Sequence, residues 1–435
     1  MWAYESVFYQ IYPLGFCGAP FENDGVPAGR INKVAEWIPH IRELGVNAVY
    51  FSPLFESDTH GYNTRDFRRL DVRLGTNDDF KKVCEKLHEA GIRIVLDGVF
   101  NHVGRGFFGF QDVLKNRQNS RYANWFHIDF NGNSAYNDGL WYEGWEGNYD
   151  LVKLNLHNEE VVQYLLDSVT FWVQEFGIDG LRLDVAYCLN HDFVRRLRKH
   201  CDSLKEEFFL VGEMLHGDYK TLMNDDMLHS ATNYECYKGL YSSFNSRNMF
   251  EINHSLLRQF GPENWTLYKG KHLLTFVDNH DVVRVASVLQ NEKHLPLIYA
   301  LAFGMPGIPC VYYGSEWGAK GNKNYNDTEL RPCFAAPERN ELTEWIAKLA
   351  SAKKMSRALN HGGFRSVVLT NEQCVFARET EDESVFVAVN LADHPYFAHF
   401  DAGCGEAKDL ISGEVHTFSG GRELPPYSAQ FWKVR

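Results

Sequence analysis

The chain has 435 residues, 44% of them hydrophobic, and carries a formal net charge of −13 at pH 7. Such a length suggests one barrel-sized domain with a smaller one attached rather than a single simple core. The negative charge is spread without any basic block, which argues against nucleic acid or an anionic membrane as partner and puts an uncharged ligand first. The nine cysteines lie far apart with no CxxC spacing, a pattern that favours a reducing compartment. The first residues, "MWAYESVFYQIYPLGF", show neither a basic leader nor a small-residue cleavage site, so the expected location is the cytoplasm. The longest apolar run, "LPLIYALAFGMPGIPCVYY" from Leu295, is cut by Pro296, Gly304, Pro306, Gly307 and Pro309. It reads as a helix, a turn and a buried strand rather than a membrane span.

In chain order, short apolar runs alternate with amphipathic stretches. "SVFYQIYP" is followed by the helical pattern "KVAEWIPHIRELG", then "VNAVYFSP", "NDDFKKVCEKLHEAG" and "IRIVLDGVFNH". Asn77 and Asp78 stand where a cap would precede the second helix, and Gly91 ends it. The rhythm breaks between Val103 and His157, where "NDGLWYEGWEGNYD" is rich in Gly, Asn, Asp and aromatics and no long helix is expected. It resumes with "NEEVVQYLLDSVTFWVQEFG" as helix, "GIDGLRLDVA" as the fourth strand, "HDFVRRLRKHCDSLKE" as helix and "FFLVGE" as the fifth strand. A less regular stretch around "SATNYECY" precedes "HLLTFVDNHD" and "GIPCVYYGSEWG" as strands seven and eight. Strands alternating with helices mean parallel pairing, and eight of them predict a closed (β/α)8 TIM barrel. After the helix "NELTEWIAKLASAKKMSRAL" the pattern turns to strands alone. The expected organisation is a barrel in two parts, 1–102 and 158–361, a subdomain inserted after strand three at 103–157, and a C-terminal antiparallel β-sandwich at 362–435.

In such a barrel, chemistry gathers at the C-terminal ends of the strands. That rule collects Asp97, Asn101 and His102; Arg182 and Asp184; Glu213; and His280 and Asp281. A lone strand-end aspartate is usually a helix cap, but four carboxylates, an arginine and two histidines are hard to assign to capping. Carboxylates without a cysteine–histidine metal pattern suggest acid–base and nucleophilic work on a glycosidic bond. Within "GLRLDV" the alternation of a strand puts Leu181, Leu183 and Val185 on one face and Arg182 beside Asp184 on the other. Arg182 is then placed to hold Asp184 ionised as a nucleophile. Glu213 ends an apolar run that raises a carboxyl pKa, and is the better acid.

The segments "DGVFNH" (97–102), "GLRLDVA" (180–186), "VGEML" (211–215) and "FVDNHD" (276–281) resemble, in order, the four signature regions of the α-amylase family, glycoside hydrolase family 13. The resemblance implies Asp184 as nucleophile, Glu213 as general acid/base and Asp281 as the third carboxylate, which binds hydroxyls of the reacting sugar. It places His102, Arg182 and His280 against the reacting ring or its nucleophile. It also sets Tyr62, in "HGYNTRDF", stacked on that ring, where a plain packing tyrosine is the other reading. Asp327 and Arg331, in "NDTELRPCF", have the family's spacing for gripping the next sugar.

"LVKLN" (151–155) and "LRPCF" (330–334) are similar to segments of the neopullulanase and cyclomaltodextrinase branch. The resemblance therefore implies a retaining hydrolase of α-1,4-glucosidic bonds in maltodextrins, cyclodextrins or starch fragments, with an α-glucan oligosaccharide as partner. A transglycosylase of the same family, or a non-catalytic glycan-binding subunit, is the alternative. After Asp184, the Lys–His pair of α-amylases is replaced by Tyr187 and Cys188, and the neopullulanase Asn–Glu pair is also absent. With Cys188 at a position where the family has a calcium-binding His, no cofactor is expected to be required, although Asn101 keeps calcium in view. Trp141, Tyr142 and Trp145 serve either as a sugar-stacking wall or as the core of the insert. Oligomeric state, endo or exo action and tolerance of α-1,6 bonds stay open.

Overall fold

The computed structural model describes residues 1–434. Eight short parallel strands follow one another along the chain: β1 (Phe8–Ile11), β2 (Ala48–Phe51), β3 (Arg93–Gly98), β4 (Gly180–Leu183), β5 (Phe209–Gly212), β6 (Ser230–Ala231), β7 (Leu274–Phe276) and β8 (Ile308–Tyr312). With helices in the connections they make the fold a (β/α)8 barrel. By compactness the chain divides into two units, one of Met1–Gln10, Pro39–Ala48 and Thr232–Arg435, the other of Ile11–Ile38 and Val49–Ala231.

In the second of these units β4 pairs in parallel with both β3 and β5, and β5 with β6. The register sets Arg182 opposite Asp97 on one side and Val211 on the other. Parallel partners in register present their side chains to the same face, so a guanidinium and a carboxylate meet there by construction. The helix Glu159–Phe176 feeds β4. Asn158 caps it by accepting from the Glu160 and Val161 amides, and Gly177 ends it at a left-handed φ of 67°. Val161, Leu165, Val169, Trp172 and Phe176, spaced at helical period, form its buried stripe.

The helix Asn77–Glu89 is capped one residue earlier than the sequence suggests. Thr76, not Asn77, is its N-cap, in a reciprocal box with Asp79. The segment after β3 carries a three-stranded antiparallel sheet of His102–Gly104, Asn148–Lys153 and Gly144–Trp145. It also holds one helix, Phe108–Asn116, that its Gly- and Asn-rich composition hides. Tyr142 is fully buried, edge-on to Phe110 and Tyr149, so it belongs to that segment's core.

In the first unit β8 pairs in parallel with β1 and with β7. From Gly363 onward the chain is antiparallel: a six-stranded sheet and a two-stranded one, Tyr396–His399 with Gly421–Leu424. Val375, Phe386, Ala388, Ala398, Leu424 and Trp432 pack between them as the core of a β-sandwich. Among the described residues no helix is long and apolar enough to cross a membrane.

Candidate active site

β4 stops at Leu183, so Asp184 and Val185 lie beyond it and the strand alternation covers only Leu181 to Leu183. Val185 leaves the strand at φ 40° and ψ 47°. That left-handed conformation is costly for a β-branched residue and tends to persist where the surroundings enforce it. Here it turns the Val185 amide onto Glu213, donating to Oε2 at 2.9 Å. The side chain of Asp184 is thereby released to the end of the strand, and Glu213 is fixed from the next one.

Arg182 is the centre of this cluster. Its Nη1 donates to both oxygens of Asp97 at 2.9 Å and to Oδ1 of Asp184 at 2.8 Å, and its Nη2 lies 2.7 Å from Oε1 of Glu213. All four residues are at most 5% exposed. Three carboxylates on one guanidinium are two charges negative when fully ionised, and burial opposes that. Burial pushes the Asp184 carboxyl well above the ordinary range, Arg182 opposes the rise, and the charges of Glu213 and Asp97 add to it. Asp97 is also raised by burial, against the pull of Arg182 and of hydrogen bonds from the hydroxyls of Tyr50 (2.9 Å) and Tyr62 (3.3 Å). Arg182 itself is held more firmly protonated by Asp97 and Glu213 in spite of burial.

Oδ2 of Asp184 and Nε2 of His102 are buried, 3.8 Å apart, and neither has a hydrogen-bond partner. Burial and neighbouring His60 depress the His102 pKa to about 3, so its ring is neutral. Trp145 sits with its ring 6.0 Å from that of His102. Of the three aromatics of the insert, Tyr142 is core, Trp141 is exposed and Trp145 lies against this cluster. Tyr187 reaches Glu146 with its hydroxyl at 3.4 Å and His216 with its ring at 5.4 Å.

A second cluster gathers around Asp281, after β7. Gln10 donates from Nε2 to Nδ1 of His280 at 2.8 Å, which leaves the His280 proton on Nε2, 2.9 Å from Oδ2 of Asp281. Arg331 donates to Oδ1 of Asp281 at 2.7 Å and to the His280 carbonyl at 3.1 Å, and lies 3.5 Å from Asp327. The structure thus brings Tyr62, His102, Arg182, Asp184 and Glu213 into one cluster and His280, Asp281, Asp327 and Arg331 into another. Two members escape a reading of strand ends. Tyr50 stands inside its strand as a single polar tip, and Gln10 stands beside Tyr9 in another buried strand; those polar groups were the available signal.

The residues do not suit calcium at the position the sequence raises. The Asn101 amide lies 3.2 Å from Nδ1 of His102, and position 188 offers a half-buried thiol, a poor ligand for a hard cation. Among the described residues no group of three or more His, Cys, Asp or Glu could share a metal ion.

The family profile for the α-amylase catalytic domain matches residues 10–354. A cyclomaltodextrinase of Geobacillus thermopakistaniensis is 31% identical, over the whole of this chain and 77% of its own. The intracellular maltogenic amylase of Bacillus subtilis strain 168 is 30% identical over 89% of this chain and 68% of its own. Among solved structures, the ligand-free cyclic α-maltosyl-(1→6)-maltose hydrolase of Arthrobacter globiformis superposes with a TM-score of 0.83, at 27% identity, with both chains fully covered. The chain belongs to the α-amylase family of glycosidases, glycoside hydrolase family 13.

Proposed function

We propose that this chain is a retaining hydrolase of α-1,4-glucosidic bonds, acting in the cytoplasm on maltodextrins, cyclodextrins or starch fragments through a covalent glycosyl-aspartate. The observation that carries this reading is the asymmetry of Asp184: one oxygen is anchored on Arg182 while the other is buried and bare. Oδ2 attacks the anomeric carbon as Glu213 protonates the departing oxygen, giving a β-linked ester. Glu213, now ionised, takes a proton from water as that water displaces Asp184. Burial and mutual repulsion favour a proton on the cluster, and retaining chemistry needs it on Glu213. Positive charge developing on the sugar beside Asp184 favours that distribution.

His102 and Tyr62 bind the reacting ring, Asp281 and His280 its hydroxyls, and Asp327 and Arg331 the next sugar. Relatives named cyclomaltodextrinase and intracellular maltogenic amylase support the substrate class and the location. Two inversions restore the starting configuration, so proton NMR of the first product of a maltooligosaccharide, read before mutarotation, is expected to show the α-anomer. An initial β signal removes the nucleophile role from Asp184. No metal is required on this reading; turnover is expected to survive exhaustive chelation, and its reversible loss would overturn that.

A further inference from the structure

At the foot of β7 and β8, a cavity of about 420 Å3 opens among the segments that lead into these strands and the start of the C-terminal strands. Two cations, Arg378 in its wall and Lys353 behind it, are buried with no carboxylate hydrogen-bonded to either among the described residues. Lys353 and Arg378 are each 1% exposed. Arg378 donates to the Gly362 carbonyl from Nε (3.2 Å) and Nη2 (2.8 Å), and to the Gly304 carbonyl from Nη1 (2.9 Å). Lys353 donates to the Leu359 carbonyl at 3.0 Å. A guanidinium has five N–H bonds and an ammonium three, so each side chain keeps two without an acceptor among the described residues. Burial without a counterion depresses Arg378 to about 9 and Lys353 well below its usual range. A buried charge in that condition is costly.

The cavity adjoins this unbalanced charge. Arg378, the exposed Lys269 and the half-buried Lys271 line it. Its other charged pair cancels, because Arg365 is bound to Glu379 at 2.7 and 3.0 Å. His272 is neutral, its pKa near 3 through burial and the neighbouring positive groups. Oδ1 of Asn360, buried and unpartnered, offers one acceptor beside the donors. In a chain whose net charge is −13, a local surplus of cations with spare donors calls for an anion. A space lined by Arg378, Lys269 and Lys271 suits a tetrahedral oxyanion, and Asn360 suits its hydroxyl.

We propose that this cavity is an anion site that takes a phosphate group, free or carried on a sugar. The site owes nothing to the catalytic reading.

Titration of the full chain with inorganic phosphate and with a hexose phosphate, at constant ionic strength in chloride, tests it by calorimetry. One saturable site per chain is expected for each. Tighter binding of the hexose phosphate marks a sugar phosphate as the ligand, and equal affinity marks the free ion. Lys269→Gln with Lys271→Gln, at an exposed and a half-buried position of its lining, should weaken binding at least tenfold and leave glucan hydrolysis unchanged. Arg378→Lys, which keeps a buried cation but loses the fork, should weaken it as well. Absence of saturable binding, full affinity in the double variant, or displacement of phosphate by maltose would each overturn the proposal.

Discussion

The strand β4 begins and ends in opposite electrostatic arrangements. At its foot a single carboxylate, Asp179, is surrounded by hydrogen-bonding side chains: Arg93 at 2.9 Å, Lys205 at 2.8 Å and His88 at 3.0 Å, with the Ile94 amide donating at 2.9 Å. Three residues on, a single cation, Arg182, is surrounded by three carboxylates. Burial raises the Asp179 pKa, but the hydrogen bonds from His88, Lys205, Ile94 and Arg93 outweigh it, and the carboxyl ends far below its ordinary value. Asp184 goes the other way. A carboxylate with more donors than it can use is satisfied and stabilises the fold. A guanidinium with more acceptors than it can neutralise leaves a proton to be exchanged and an oxygen uncovered. The first arrangement holds the strand, and the second leaves chemistry to be done at its end.

Removing a carboxylate from the head breaks this contrast most visibly. Asp184→Asn and Glu213→Gln are each expected to lower kcat by about 10³-fold or more, since one loses the nucleophile and the other the proton donor. Neither should lower the melting temperature at pH 7. Each takes one ionisable carboxyl out of a buried cluster that holds three against a single guanidinium, so the fold is relieved rather than weakened. A melting temperature that falls in Asp184→Asn as far as in a variant of the foot would end the distinction.

Asp179→Asn supplies that comparison. It is expected to cost about 2 kcal/mol of stability, the scale of charge-assisted hydrogen bonds, reduced because the three side-chain partners are partly exposed. Activity per folded molecule should not change. The sign with pH follows from the depressed pKa. Stability contributed by Asp179 is complete above the unfolded value of about 4 and is lost as pH falls toward the native value. Denaturant midpoints of wild type and variant should therefore differ at pH 7 and draw together below about pH 4, and a gap that stays constant with pH would contradict the assignment.

The reach of the sequence can be judged from the same residues. Alternation of apolar runs and helical patterns reported the barrel, because parallel strands and their connecting helices each bury a face that shows as periodicity. It failed at β6, which has two residues, Ser230 and Ala231, too few to show a period. The charged strand ends stood out because a buried charge needs a reason. Asp179 did not, since at the start of "DGLRL" it looks like any loop acid, and its partners come from residues 88, 93 and 205. Nor did Val185, whose positive φ is imposed by contacts after the strand rather than by a glycine. Tyr50 and Gln10 were legible in principle, as polar groups in buried strands, but only to a search that counted neutral donors along with charges.

Tyr50 gives the smallest and most discriminating test. Its hydroxyl donates to Oδ2 of Asp97 and touches neither Asp184 nor Glu213 through any hydrogen bond. Tyr50→Phe withdraws one donor from Asp97 at a cost of about 1 kcal/mol. Asp97 should then be protonated more readily. With Asp97 less negative, Arg182 is drawn more to Asp184, and Asp184 loses part of a repulsive neighbour. Both effects lower the Asp184 pKa, so the acid limb of the kcat/KM profile should move to lower pH, by about half a unit if most of that energy is transmitted. The maximal rate should change by no more than about threefold, as expected for a group outside the proton-transfer step. A limb that moves to higher pH would mean that Asp97 and Asp184 do not compete for one guanidinium. The head of β4 would then be three separate ion pairs rather than one shared charge.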